Sequence, residues 1–99
     1  MDYITFKGKK WPVRISYMAL KRYQMETGKS IETLEEDLTN FEILLHFALQ
    51  AGCKAMDKEC PFERKDMEEI LDESLQEFTQ IMIKGNSSEG NTEGAGKKK

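Results

Sequence analysis

Apolar and polar residues alternate near the start of the chain. Ile4 and Phe6 fall on one face of a strand, and Trp11 and Val13 repeat the pattern after a short turn that contains Gly8. A period of two is typical of a strand with one buried face, and glycine readily adopts the left-handed conformation of a tight turn. The pattern therefore predicts a β-hairpin.

Two physical limits apply to this hairpin. Pro12 has no amide hydrogen, so its strand is expected at a sheet edge or with that position facing solvent. A hairpin of two strands is only marginally stable alone in water. Its apolar face is therefore expected to pack on a helix.

A first helix is predicted directly after the hairpin. Ser16 is a good N-cap residue, and Gly28 supplies the left-handed residue that commonly ends a helix. Residues 30–38 are expected to form one short helical turn. The side of the first helix that should face the core consists of Ala19, Leu20 and Tyr23.

A middle helix is predicted to start with a capping box of Thr39 and Glu42, with Leu38 packed on Ile43. Its apolar arc spans roughly 200°, about twice what a surface helix needs. Either the rest of the chain covers it from two sides, or one flank is buried only by a partner or a second copy. The arc comprises Phe41, Leu44, Leu45, Phe47, Ala48, Leu49, Ala51, Ala55 and Met56.

The last helical region carries an apolar stripe along one face, which indicates either one long helix or two short ones. Ser74 and Glu77 have the spacing of a second capping box, which favours a break or kink at residues 72–74. Gly85 is expected to end the region. The stripe comprises Met67, Ile70, Leu71, Leu75, Phe78, Ile81 and Met82.

Residues 85–99 differ in composition from the rest of the chain. They contain four of the seven glycines, and Ala95 is their only apolar residue. Such a segment cannot bury enough surface to offset the entropy of ordering, so it is predicted to be a disordered tail. The predicted fold is α+β, mostly α: a single domain over residues 1–84, in which the hairpin packs on three or four helices.

Composition and charge narrow the class of protein. Ninety-nine residues fit one small domain, and no apolar run has the length of a membrane span or signal peptide, so a cytoplasmic protein without a membrane partner is expected. Residues 1–29 carry a net charge of +5 and residues 30–84 a net charge of −9. These halves are expected either to attract each other within one domain or to meet head to tail between subunits.

The sequence offers little material for catalysis. His46 is the only histidine, and with Cys53 and Cys60 it gives at most three zinc ligands without the close pairs of a structural site. The acidic clusters lack the spacing of a calcium-binding loop, and no glycine-rich phosphate loop is present. We therefore expect no enzymatic activity, no cofactor and no metal, and two cysteines that stay thiols.

The candidate partner-binding residues lie on two helices. On the middle helix they belong to the flank that a partner would cover. On the first helix, two methionines seven residues apart lie off the apolar side and are candidates for an adaptable patch. These residues are Ile43, Leu44, Phe47 and Ala51 on the middle helix, and Met18 and Met25 on the first.

The order of these elements and several motifs resemble a known family. The motifs are a KGK turn with the strand WPVRIS, a helix ending in METGKSIE, the apolar run FEILLHFALQAGCKA, and PFERKDMEEILDE. Together they cover about residues 2–84 and are similar to the tail assembly chaperones of long-tailed bacteriophages and prophages of Gram-positive and related bacteria. The stretch CKAMDKEC and the lack of a proline after LDE depart from that pattern.

The resemblance implies a binding role without catalysis. Such chaperones protect the long, helical tape measure protein while tail tube subunits polymerise around it, they tend to self-associate, and they are absent from the finished virion. The tape measure protein, and with it the tail tube protein, is thus the implied partner in the bacterial host cytoplasm. The resemblance also raises a longer product made by a ribosomal frameshift, for which the codons of Lys97, Lys98 and Lys99 could supply the slippery site.

One alternative belongs to a different class of protein. A small nucleic-acid-binding regulator would use the basic hairpin and first helix, with Trp11 stacking on bases. The acidic remainder of the chain argues against it. The basic residues in question are Lys7, Lys9, Lys10, Arg14, Lys21 and Arg22.

Overall fold

The computed structural model of the chain describes residues 1–87. It confirms the predicted α+β, mostly α architecture, with an N-terminal antiparallel hairpin packed on helices. The predicted disordered tail lies, from residue 88 onward, outside the described residues. In chain order the elements are β1 (Asp2–Phe6), β2 (Lys9–Val13), α1 (Tyr17–Thr27), a 3₁₀ helix (Ile31–Glu36), α2 (Thr39–Ala55), a short 3₁₀ helix (Arg64–Asp66) and α3 (Met67–Ser87).

The hairpin forms where the alternation predicts it. Ile4 of β1 pairs with Trp11 of β2. The two-residue turn between the strands consists of Lys7 and Gly8, both with positive φ, as expected where a tight turn must match the twist of its strands. Ile4 and Val13 are buried against the helices, so the hairpin supplies one wall of the core.

Pro12 was expected either on an edge strand or facing solvent, and only the first of these is observed. The hairpin is the whole sheet, so β2 is an edge strand, but Pro12 is buried rather than facing solvent. Its carbonyl lies against Gly52 of α2, where an added Cβ atom would come within 2.8 Å of the Val13 nitrogen and closer still to Pro12. Because proline has no amide hydrogen, the helix that crosses at Gly52 buries no unpaired donor at this position of the edge.

Helix α1 begins and ends as its sequence predicts. The Ser16 Oγ accepts a hydrogen bond from the Ala19 amide at 3.2 Å. Gly28 has a φ of 73° and donates its amide hydrogen to the Gln24 carbonyl. Ala19 and Tyr23 are buried on the predicted inner side.

The start of α2 corrects the predicted capping box. Asp37 is the cap: its carboxylate accepts from the Thr39 amide at 2.9 Å and from the Thr39 hydroxyl at 2.8 Å. These hydrogen bonds lower the pKa of Asp37 below its ordinary value. An ionised carboxylate is a stronger acceptor than a hydroxyl, so Asp37 takes the role predicted for Thr39 and Glu42. Leu38 is 76% exposed and does not form the predicted packing contact with Ile43.

Helix α2 is the central element of the domain. It contacts α1, β2, α3 and both 3₁₀ helices. Its own chain covers most of the wide apolar arc, but Phe41 and Phe47 are only half-buried, and Ala55 and Met56 are exposed. The buried residues of α2 are Leu44, Leu45, Ala48, Leu49, Ala51, Gly52 and Cys53.

Helix α3 contains the predicted kink, at Ser74, where φ is −120° and ψ is 16°. The predicted capping box is wrong, because both of its residues bond to β1 instead. The buried Ser74 hydroxyl donates to the Thr5 carbonyl, and the Glu77 carboxylate accepts from the Thr5 amide at 2.8 Å and its hydroxyl at 3.1 Å. The helix also continues to Ser87, past the end predicted at Gly85.

Candidate protein-binding groove

The predicted binding flank of α2 lies largely inside the domain. Leu44 is fully buried and Ala51 nearly so, which places both out of a partner's reach. Ile43 and Phe47 are half-buried and pack against the core cluster. Most of the apolar arc of α2 is therefore covered by other parts of this chain, while Phe41 stays partly open and Met56 is exposed.

Phe47 is covered by a polar cluster that joins three segments of the chain. The Arg64 guanidinium lies 5.3 Å from the centre of the Phe47 ring, a cation–π distance. Arg64 also donates from Nε to the His46 Nδ1 at 3.0 Å and makes a bidentate pair with the Glu26 carboxylate, with one of the two contacts at 2.9 Å. The cluster holds the end of α1 and the short 3₁₀ helix over this flank of α2.

Charges within the cluster shift its pKa values. The hydrogen bond from Arg64 is the largest cause that lowers the pKa of Glu26, and the same pair raises the pKa of Arg64. The pKa of His46 is lowered, first by burial and then by the charge of Arg64. Since Nδ1 accepts from Arg64, the neutral imidazole carries its proton on Nε2.

The two predicted methionines of α1 do not form one exposed patch. Met18 is half-buried, whereas Met25 is 73% exposed. Met25 instead lies on an outward stripe with Tyr17 and Lys21, spaced four residues apart along the helix. This stripe is mixed apolar and cationic.

Several apolar side chains line a groove between the start of α2 and the first half of α3. Phe41 and Leu71 lie deeper in it, while Leu38 and the 44% exposed Leu75 form its outer walls. The groove has a volume of about 600 Å³. Exposed apolar surface of this shape, bordered by polar side chains, is typical of a protein-binding site.

The border of the groove is acidic. Four carboxylates line it, on Glu42, Glu68, Glu69 and Asp72, against the single base Lys65. The groove therefore combines an apolar interior with a negative edge.

The sequence did not identify this groove, for reasons that lie in the helix geometry. Leu75 was assigned to the buried stripe of the last helix, but it lies at the margin of that stripe and directly after the kink at Ser74. Leu38 was assigned to a packing contact that the Asp37 cap does not produce. The signal that could have identified Leu38 is its place between two polar residues at the first turn of α2.

Neither a metal-binding cluster nor a membrane-spanning helix is found among the described residues. Within residues 1–87, no group of three or more His, Cys, Asp and Glu side chains could hold a metal ion. No helix in that range is both long and apolar enough to cross a bilayer. Cys53 and Cys60 are free, and burial is the largest cause that raises the pKa of Cys53 to about 11.

The basic hairpin does not present Trp11 as an open stacking surface. The ammonium groups of Lys9 and Lys58 lie 4.7 and 4.8 Å from the Trp11 ring centre, and the Phe62 ring meets the indole edge to face at 4.7 Å. Lys7 forms an ion pair with Glu69 at 3.9 Å. These contacts lend no support to base stacking on Trp11.

No family model, curated protein or solved structure matches this chain. The function of the groove therefore has to be inferred from its geometry and charge, together with the motifs of the sequence.

Proposed function

We propose that this chain is a tail assembly chaperone without enzymatic activity, and that it binds the phage tape measure protein in the groove between α2 and α3. One observation carries the proposal: Leu38 and Leu75 stand exposed on either side of a groove whose deeper surface is Phe41 and Leu71. A holding chaperone needs such a surface, because it must cover apolar side chains of its client until the client assembles.

The groove suits a helical client. Grooves between packed helices commonly take the apolar face of an amphipathic helix, anchored by side chains one turn apart. The sequence resemblance implies a long helical tape measure protein, which would present many such faces. The proposal thus joins the shape of the groove to the kind of client implied by the motifs.

The proposal extends to the other expected partners and to the place of action. The chaperone would act in the cytoplasm of the bacterial host, contact the tail tube protein while tube subunits polymerise, and be absent from the finished virion. Self-association is also part of the proposal, and the outward stripe of Tyr17, Lys21 and Met25 on α1 offers an exposed surface for it.

Co-expression with a tape measure fragment tests the function. The wild-type chain should keep the fragment in the soluble fraction, and Leu75→Glu should lose most of this effect, because a buried charge without a partner opposes binding. Ile83→Glu is the matched control, since it places the same charge on another exposed apolar position of α3 that lies outside the groove. The soluble amount of fragment is measured by quantitative gel densitometry.

Two results would contradict the proposal. One is a fragment that stays insoluble with the wild-type chain. The other is solubility that Leu75→Glu lowers no more than Ile83→Glu does, which would place binding outside the groove. Circular dichroism melts of both variants show whether each remains folded.

A further inference from the structure

The carboxylates at the groove are only partly compensated within the domain. Glu69 forms an ion pair with Lys7. After Glu26, the charge of Glu42 also raises the pKa of Arg64, so Glu42 lies near that guanidinium. Glu68 and Asp72, four residues apart on α3, form no ion pair with any residue in the described range. Two neighbouring carboxylates are thus free to meet positive charges on a partner.

The single base at the groove does not neutralise these carboxylates. Lys65 lies 3.6 Å from Glu63, a residue that does not line the groove. The charge offered to a partner is therefore net negative.

The strand edges of the hairpin do not favour an extended partner. The amides of Thr5 on β1 and of Lys7 in the turn after it already donate to the Glu77 and Glu73 carboxylates of α3, at 2.8 and 2.9 Å. On β2, Pro12 has no amide hydrogen. A peptide that binds by adding a strand needs free backbone groups along an edge, so the groove remains the better site and a helix the better ligand.

We propose that the groove binds an amphipathic α-helix whose apolar residues, one turn apart, are flanked by lysine and arginine. The inference rests on the proposed function and names the chemistry of the client segment. Apolar side chains of the helix pack between Leu38 and Leu75, and its basic residues meet Glu68 and Asp72. Ion pairs at such an exposed rim contribute more to the choice between partners and to the association rate than to the total affinity, and salt weakens them.

Peptide binding to the full chain tests this inference. The probes are two fluorescein-labelled helical peptides of about 18 residues with the same leucine stripe, one with lysine flanks and one with glutamate flanks. In fluorescence anisotropy at about 0.05 M salt, the lysine peptide should bind at least about tenfold more tightly. At about 0.3 M salt this preference should shrink, because screening acts on exposed charges.

Charge reversal localises the preference. Glu68→Lys combined with Asp72→Lys should weaken the lysine peptide and strengthen the glutamate peptide, so that the order of affinities reverses. Glu32→Lys combined with Glu59→Lys is the matched control, because it changes the net charge equally at exposed positions outside the groove. The control should leave the order of affinities unchanged. Leu75→Glu should weaken both peptides.

Three results would overturn the inference. The peptides could bind with equal affinity, or the control could reverse their order as fully as the groove variant. The wild-type chain could also sediment as an oligomer that Leu75→Glu converts to monomers, which would make a second copy the occupant. If the tape measure fragment stays soluble while the peptides show no preference, only this inference fails; insoluble fragment with a clear peptide preference defeats only the proposed function.

Discussion

At the scale of single residues, the Tyr23 hydroxyl is a polar group buried in an apolar core. The side chain is fully buried in the core, yet its hydroxyl has no hydrogen-bond partner within the described residues. A buried polar group without a partner costs about 1–3 kcal/mol relative to its hydrated state. The ring therefore stabilises the fold by its apolar area while the hydroxyl opposes it.

We predict that Tyr23→Phe raises the free energy of unfolding by about 1 kcal/mol, because it removes the unpaired hydroxyl and keeps the ring. Urea denaturation followed by circular dichroism measures the change. Tyr17→Phe removes the same hydroxyl from a side chain that is 80% exposed, and it should alter stability by less than about 0.5 kcal/mol. A destabilised Tyr23→Phe variant would show that the hydroxyl is satisfied.

At the scale of elements, helix α3 completes the outer edge of β1. Ser74 and Glu77 supply the bonds that a third strand would otherwise make to Thr5. At the kink, the backbone of Ser74 departs from regular helix geometry. The side chain of the same residue bonds to the strand. A sheet of two strands is thereby held by side chains of a helix.

Ser74→Ala should lower the free energy of unfolding by about 1–3 kcal/mol, since it leaves the Thr5 carbonyl without its side-chain donor. Ser30→Ala serves as its control, because Ser30 is exposed and its side chain makes no capping bond. Urea unfolding of both variants gives the comparison. Equal stability of the two variants would mean that the bond between Ser74 and Thr5 contributes nothing net.

How far the sequence predicts these elements depends on the separation of the interacting residues. Both ends of α1 were predicted correctly, because Ser16 bonds three residues away and Gly28 four residues away. Ser74 was placed at the kink but given the wrong partner, because Thr5 lies 69 residues away along the chain. The spacing of neighbouring residues cannot predict a hydrogen bond over that separation.

The groove is even harder to predict from local patterns in the sequence. Its walls come from the start of α2 and the middle of α3, and the exposure of Leu75 depends on the kink and on how the two helices pack. The burial of Leu44 and Ala51 was missed for a related reason. A wide apolar arc indicates many neighbours, but it does not say whether they belong to the same chain.

At the scale of the whole molecule, the basic and acidic parts of the chain meet within one domain. Lys7 reaches Glu69, and Lys29 lies 3.7 Å from Glu36. Exposed ion pairs of this kind contribute little individually to stability. The charge asymmetry thus has a use inside the domain, while head-to-tail contact between subunits stays a prediction.

The cluster around Arg64 gives the whole domain a pH dependence. His46 has a folded-state pKa below its ordinary value of 6.5, so the unfolded chain binds more protons as the pH falls through that value. Stability is therefore expected to decrease between about pH 7.5 and about pH 5.5, above the range in which carboxylates titrate. The midpoint of urea unfolding, measured at both pH values, reports this decrease.

His46→Asn is the control for this prediction. The asparagine Oδ1 corresponds to the His46 Nδ1 that accepts from Arg64, but asparagine does not titrate, and the chain has no other histidine. The midpoint for this variant should change less with pH than that of the wild type. An identical pH dependence in both chains would assign the effect to other groups.

The way helices close the hairpin has a consequence for a protein proposed to handle aggregation-prone chains. Open strand edges act as templates on which partly folded molecules add, and a protein at high concentration among such molecules risks joining their deposits. Here Thr5 and Lys7 are bonded to α3, and the Arg14 amide donates to the Ala48 carbonyl of α2 at 3.0 Å. In the proposed role, this closure would leave misfolding clients few free backbone groups on the hairpin at which to add a strand.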